Sequence, residues 1–232
     1  MNYAIIAAGE GSRLLREGIE VPKPLVELNG YSLIDRLIDI FCRNNAESLS
    51  IIVNKEMTEV YKHLQNTRLV IPLNLVVQST PSSMHSFFEL SRFLQGGKFC
   101  LTTVDTVFKE DEFAGYIRAF EADETNDGLM AVTDYIDDEK PLYVYVNEET
   151  MQINDFSDKP AENEKYISGG IYGLTPQALK TLAFCKKNEI SRMRNYQRQL
   201  IADGLKLKAY PFGKILDIDH ADDIQKAKAF LS

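Results

Sequence analysis

Residues 7–25 read AAGEGSRLLREGIEVPKPL and gather the residue types that hold an anion. Gly9 and Gly11 let the backbone take positive φ and approach a ligand closely, so that peptide N–H groups can face phosphate oxygens. Ala8 and Ser12 complete that loop. Arg13 adds a planar, permanently charged fork suited to the same oxygens. Lys23 stands between Pro22 and Pro24, which stiffen the backbone on both sides and let it present an ammonium at little entropic cost. The string is not the dinucleotide fingerprint, because Arg13 and Leu14 leave no third glycine in the GxGxxG register.

Such a loop needs an element to aim it. Residues 3–7 (YAIIA) form a near-continuous apolar run, as in a strand buried on both faces of a parallel sheet. GEGSR then lies beyond the carboxyl end of that strand, where open α/β sheets bind ligands. Ser32 is placed to cap a helix in which Leu33, Ile34, Leu37, Ile38 and Phe41 recur at helical spacing. Strands are expected at 49–53, 73–77 and 98–104, with helices at 57–64 and 84–94 between them. This βαβ repetition predicts a doubly wound, mostly parallel, Rossmann-like sheet. The second half is richer in strands, at 128–135, 141–146, 151–156, 166–174, 207–212 and 214–218. Helices are expected at 176–187, at 191–203 and from Ala221. A single α/β domain follows, residues 1–127 carrying the loop and residues 128–232 adding a small mixed sheet on the substrate side.

Composition narrows the class. The 232 residues are 44% hydrophobic and 26% charged, as in an ordinary globular protein. With 34 acidic against 26 basic residues the formal charge is −8, which argues against a nucleic-acid or anionic-membrane surface. Cys42, Cys100 and Cys185 are odd in number and lack metal-type spacing, so a reducing cytoplasm is expected and neither a disulfide framework nor a zinc site. No basic leader opens the sequence, and no run approaches the ~18 apolar residues of a membrane span.

The order AAGxGSRL, a spacer and PKPLVEL, with a helix beginning near Ser32, resembles the sugar-phosphate nucleotidylyltransferases (NDP-sugar pyrophosphorylases). The resemblance implies a GT-A-like nucleotidyltransferase fold, a loop and a lysine acting on nucleotide phosphates, and transfer of a nucleotide to a sugar phosphate with release of pyrophosphate. It implies Mg²⁺ as cofactor and a nucleoside triphosphate and a sugar phosphate as partners. Catalysis would rest on Arg13, Lys23 and Lys159, and the nucleotide on Ala8, Gly9, Gly11, Ser12, Arg13, Lys23 and Gln78.

CLTTVDTVF sets Asp105 just past a predicted strand, at the acidic position of the family's metal-binding strand end. KILDIDHADD resembles the family's D-x-G-T-P-E-D string, which makes Asp217 the second metal ligand. Asp219 replaces the glycine there and His220 the threonine. Asp219 is also placed to cap the last helix. FSDKPAENEKYISGGIYGL resembles the EKP segment and its glycine-containing strand. Lys159 would grip the sugar phosphate, Gly170 would admit the sugar, and Asp158, where the family has Glu, would reach a hydroxyl. In VVQSTPSSMHSF, Gln78 would meet the base, with Ser83 where a glycine is typical. His63 is expected to face solvent, His85 to pack in a helix and His220 to sit in the final turn, none with a catalytic role. Two alternatives are a cytidylyltransferase for phosphocholine or another non-sugar phosphate, with Tyr143, Tyr145, Tyr166 and Tyr172 as a possible cage, and a catalytically silent nucleotide-binding subunit.

Overall fold

The computed structural model describes residues 1–137, 139–160 and 165–232. The first half runs β1 (Asn2–Ala7), α1 (Ser12–Arg16), a 3-10 turn at Lys23–Leu25, β2 (Glu27–Leu28), β3 (Tyr31–Ser32), α2 (Leu33–Arg43), β4 (Ser48–Val53) and α3 (Thr58–Asn66). It continues through β5 (Leu73–Val77), α4 (Ser83–Leu90), β6 (Phe99–Thr103), β7 (Thr106–Val107) and α5 (Glu110–Ala122). The second half comprises β8 (Gly128–Thr133), β9 (Tyr143–Val146), β10 (Ile153–Ser157), β11 (Ile167–Leu174), α6 (Ala178–Lys187), α7 (Met193–Ala202), β12 (Leu207–Phe212), β13 (Leu216–Asp217) and α8 (Ala221–Leu231).

Nine strands share one sheet, in the order β10-β9-β11-β6-β1-β4-β5, with β8 joined to β11 and β12. The β6-β1-β4-β5 block is parallel, and β11 enters antiparallel against β6. The added strands of the second half are thus hydrogen-bonded onto the same sheet through β11. Two separate antiparallel pairs, β2–β3 and β7–β13, complete the strands among the described residues.

Strand β1 shows why the opening run is apolar throughout. Tyr3, Ile5 and Ala7 join one core with residues of α2, α3, α5 and α8, while Ala4, Ile6 and Ala8 join another with α4, α6 and α7. Side chains alternate across a strand, so a strand covered on both faces has no polar side. Ser32 caps α2 as its type predicts, its hydroxyl accepting from the Asp35 amide at 3.1 Å. Helix α5 occupies a stretch with no expected element, although Phe113, Tyr116, Ile117 and Phe120 fall at helical spacing and are buried. The helix expected over 84–94 ends at Leu90, and a 3-10 turn at Ser91–Phe93 finishes it. No helix among the described residues is long and apolar enough to cross a membrane.

His220, not Asp219, is the N-cap of α8; its amide donates to Asp223 Oδ2 at 2.8 Å. Glu17, just past α1, accepts from the Ala221 amide at 2.7 Å and lies 2.6 Å from His220 Nδ1. His63, rather than simply facing solvent, sets Nε2 2.7 Å from Asp35 Oδ1.

Phe113 stacks on Phe108 at 4.9 Å between ring centroids and lies 5.5 Å from Phe41 and 6.0 Å from Tyr116. Phe113→Ala should therefore cost about 3–5 kcal/mol in urea unfolding, and an effect under half of that would show that the aromatic cluster is not what holds α5 to the sheet. The bond to Glu17 raises the His220 pKa. A raised imidazole contributes its stabilisation fully below about pH 6.5 and loses it as pH climbs through the folded value. NMR titration should place His220 above ~6.5 in the native chain and back near it in Glu17→Gln. The melting temperatures of the two proteins should converge at alkaline pH.

Candidate functional site

Beyond β1 the chain turns through Gly11 with φ 62° and ψ 24°, a left-handed conformation that glycine adopts without strain. A Cβ at Gly11 would stand 3.2 Å from the Lys23 Cβ, so glycine also lets the lysine turn pack against the loop. The two prolines work as expected: Leu25 donates its amide to Pro22 O at 2.7 Å and Val26 to Lys23 O at 3.1 Å. Lys23 is consequently buried, with 9% of its surface exposed, at the rim of the sheet.

The acidic residues reach the same rim by a different route. After β6 the chain turns at Asp105 into β7, and β7 pairs with β13 so that Thr106 faces Asp217. The Ile218 amide donates to Asp105 O at 3.1 Å, and Thr106 Oγ1 donates to Asp217 Oδ1 at 3.2 Å. Residues about a hundred positions apart are in this way fixed side by side. Gly170, with φ 73°, supports that pairing: a Cβ there would come 3.0 Å from Thr106 Oγ1. At Gly169 a Cβ would meet Ile215 Cδ1 at 2.3 Å, and it is Gly169, one residue earlier, that lines a cavity.

Four side chains form a continuous charged rib. Arg13 Nη1 donates to Asp219 Oδ2 at 2.7 Å, Lys23 Nζ donates to Asp219 Oδ1 at 2.9 Å, and Lys23 Nζ donates to Asp105 Oδ2 at 2.5 Å. Burial by itself would lower the Lys23 pKa, but Asp105 and Asp219 outweigh it and hold the ammonium above its ordinary value. Burial would raise Asp105, and Lys23 together with hydrogen bonds from Thr103 brings it below the usual carboxylate range. Both groups are therefore charged across neutral pH. Removing Lys23 strands the Asp105 carboxylate, at a cost of about 3–5 kcal/mol, whereas removing Asp105 leaves the ammonium its bond to Asp219.

The rib separates two cavities. One, of about 550 Å³, is lined by Gly9, Gly11, Ser12, Lys23 and Asp105 on one side and by Asn54, Ser79, Thr80, Ser82 and Ser83 on the other. Ala8 lines it as well. The second, of about 360 Å³, is lined by Arg13, Asp217 and Asp219 facing Thr133, Ser168 and Gly169. A polar wall of hydroxyls and one amide thus faces the loop in the first cavity. Asn54 is held there by its Oδ1, which accepts from the Glu56 amide at 3.0 Å and from Ser79 Oγ at 2.7 Å. Asn54 follows β4 at the same sheet edge as the glycine loop, so the strand-end rule that singled out Gly9 and Asp105 reaches Asn54 too.

Besides Gly170, which lines neither cavity, three expected residues stand elsewhere. Gln78 extends the β5 pairing with its amide to Val53 O at 2.9 Å, but its side chain is exposed and lines neither cavity. Asp158 is ion-paired with Arg194 and, at 2.7 Å, with Arg198, both on α7. Lys159 is exposed beside it and lines neither cavity, its amide donating to Ser157 Oγ at 3.1 Å. The loop cations bond Asp105 and Asp219, and Asp217 adjoins Asp105 through the β7–β13 pair; the Asp158–Lys159 segment is not brought to them.

Comparison with known proteins follows the same line. The family model described as nucleotidyl transferase matches residues 3–232. A UTP–glucose-1-phosphate uridylyltransferase, AglF of Haloferax volcanii, is 23% identical over 179 residues, covering 76% of this chain and 72% of that protein. Among solved structures, the inositol-1-phosphate CTP transferase of T. maritima superposes with a TM-score of 0.79 at 21% identity over 100% of this chain and 97% of the other. A Bacillus anthracis protein described as a glucose-1-phosphate thymidylyltransferase, with sucrose bound, gives 0.84 at 19% identity over 99% and 94%. At these identities the superpositions speak to the fold, while the family match runs over nearly the entire sequence. The chain belongs to the nucleotidyl transferase family and is an enzyme of that class.

Proposed function

We propose that the protein is a Mg²⁺-dependent nucleotidylyltransferase that transfers a nucleoside monophosphate from a nucleoside triphosphate to a sugar 1-phosphate and releases pyrophosphate. The observation that carries this reading is the charged rib between two cavities: one substrate on each side, with the reacting phosphates meeting at Lys23 and Arg13. The larger cavity suits the nucleotide, its phosphates against the Gly9–Gly11 loop and its nucleoside toward Asn54, Ser79 and Thr80. The smaller suits the acceptor.

The chemistry asks little covalent work of the protein. An acceptor phosphate oxygen, already ionised at neutral pH, attacks the α-phosphorus; the new P–O bond forms as the bond to pyrophosphate breaks and its electron pair leaves with pyrophosphate. Alignment and charge neutralisation then supply the rate. Lys23 and Arg13 hold phosphate oxygens in line, and no histidine is needed as a base.

Among the described residues no group of three or more His, Cys, Asp and Glu side chains is arranged to hold a metal ion. Asp105 and Asp217 nevertheless fit a hard cation that keeps water and phosphate as its remaining ligands. The fit rests on Asp105, whose carboxylate is ionised and already faces a cation in the form of the Lys23 ammonium. Mg²⁺ bound there would offset the negative charge of the triphosphate and of departing pyrophosphate.

The phosphocholine alternative loses its expected cage, because Tyr143, Tyr145, Tyr166 and Tyr172 line neither cavity. Tyr135 does line the smaller one, but the Lys214 ammonium already lies 4.0 Å from its ring centroid. The named relatives differ in base and in acceptor, so both belong to experiment.

A matrix of nucleoside triphosphates against sugar 1-phosphates, inositol phosphate and phosphocholine should give pyrophosphate release with Mg²⁺ and none in EDTA. Asp105→Asn should lower kcat by about 10²–10³, and Lys23→Met by a similar factor. Nucleotide binding without release from any pair would favour the silent-subunit reading, and Asp105→Asn turning over like the native chain would refute the proposal.

A further inference from the structure

Asp219 stands where the sequence string of the family carries glycine, and its carboxylate spends both oxygens on the two cations of the loop, Arg13 at 2.7 Å and Lys23 at 2.9 Å. These are the groups that the proposed function assigns to phosphate oxygens. A carboxylate bridging two cations occupies the place that a phosphate would take. With Asp105 on the other side of Lys23, the rib counts two positive and two negative charges, and Asp217 adds a further negative one beside it. The chain as a whole carries −8. An incoming polyphosphate therefore meets no net positive field, and must replace an anion already seated.

The geometry points to Asp219 as an internal counter-ion: it fills the phosphate seat of the resting enzyme and bars polyphosphates that arrive without a divalent cation. This rests on the functional reading above. Asp219 is a positioning residue in the sense that it holds Arg13 and Lys23 against one another until a metal-bound phosphate chain displaces it. The side chains of Asp219 and Arg13 are 43% and 46% exposed, so their pairing is screened by water and is weak enough to exchange. Lys23 is not set adrift when Asp219 lets go, because Asp105 remains on its ammonium until a cation takes that carboxylate. Discrimination between metal-free and metal-bound anions is thereby placed in a side chain rather than in the loop backbone.

The test uses inorganic pyrophosphate as probe, titrated calorimetrically into the full-length protein with EDTA and separately with Mg²⁺. Asp219→Asn removes the charge at constant size. Asp219→Gly installs the residue of the family string and guards against an Asn variant that fails to fold; Asp219→Glu retains the charge. In EDTA the Asn and Gly variants should bind pyrophosphate about tenfold tighter than the native chain, the effect of freeing the exposed pair with Arg13 and the part-buried pair with Lys23. The Glu variant should stay close to the native chain, and the gap should narrow with Mg²⁺. Equal or weaker binding by both neutral variants in EDTA overturns the inference, as does a gain of the same size with and without Mg²⁺. Because the readout is binding of pyrophosphate and not turnover, tighter binding in a protein that transfers no nucleotide would sink the functional reading while leaving this inference intact; unchanged binding in an active enzyme would do the reverse.

Discussion

The Lys23 ammonium lies between the carboxylates of Asp105 and Asp219, and much of the architecture is arranged around keeping it there. A buried cation needs partners whose positions do not drift, since the attraction offsets desolvation only when geometry is good. Each partner is accordingly anchored in the backbone: Lys23 in a 3-10 turn between prolines, Asp105 in the turn that leads into β7, and Asp219 just ahead of the capped start of α8. Gly11 contributes by omission, its missing side chain making room for the lysine stem.

The sheet supplies the common edge. Strands β1, β4, β5 and β6 run parallel, so their carboxyl ends fall together and the loops that follow face one another across the larger cavity. The second half enters through β11, antiparallel against β6, which brings Ser168 and Gly169 to the same rim from the opposite direction. Helices bury both faces of β1, leaving the loops as the place where polar groups can meet.

The elements that the sequence announces are those whose physics is local. Residues 73–77 form a strand at the expected bounds because four of the five, Leu73, Leu75, Val76 and Val77, are apolar in a run too short for a helix, and Ser32 caps α2 because the cap bond spans three residues. A strand of two residues carries no periodicity, so β7 is invisible until paired; a strand is expected around β13, at 214–218, but not its partner, and with that pairing goes the reason Asp105 and Asp217 adjoin. Asp219 illustrates the limit well: next to a helix start it reads as a cap, whereas its partners lie about two hundred residues upstream. Gln78 and Lys159 sit at strand ends as expected, but chain position does not say which way a side chain points or whether a nearby arginine has claimed its neighbour.

The pairing of β7 with β13 and the bond from Arg13 to Asp219 span 111 and 206 residues. Loop-closure entropy grows only logarithmically with length, so such spans add little to the equilibrium cost of folding. Their effect falls on timing. A ribosome adding roughly 5–20 residues each second extrudes the glycine loop long before residues 217–219, and during that interval Arg13 and Lys23 have no Asp219 to engage. Competence thus arrives late in synthesis, because Asp219 and the α8 side chains that complete the core over β1 emerge long after the loop.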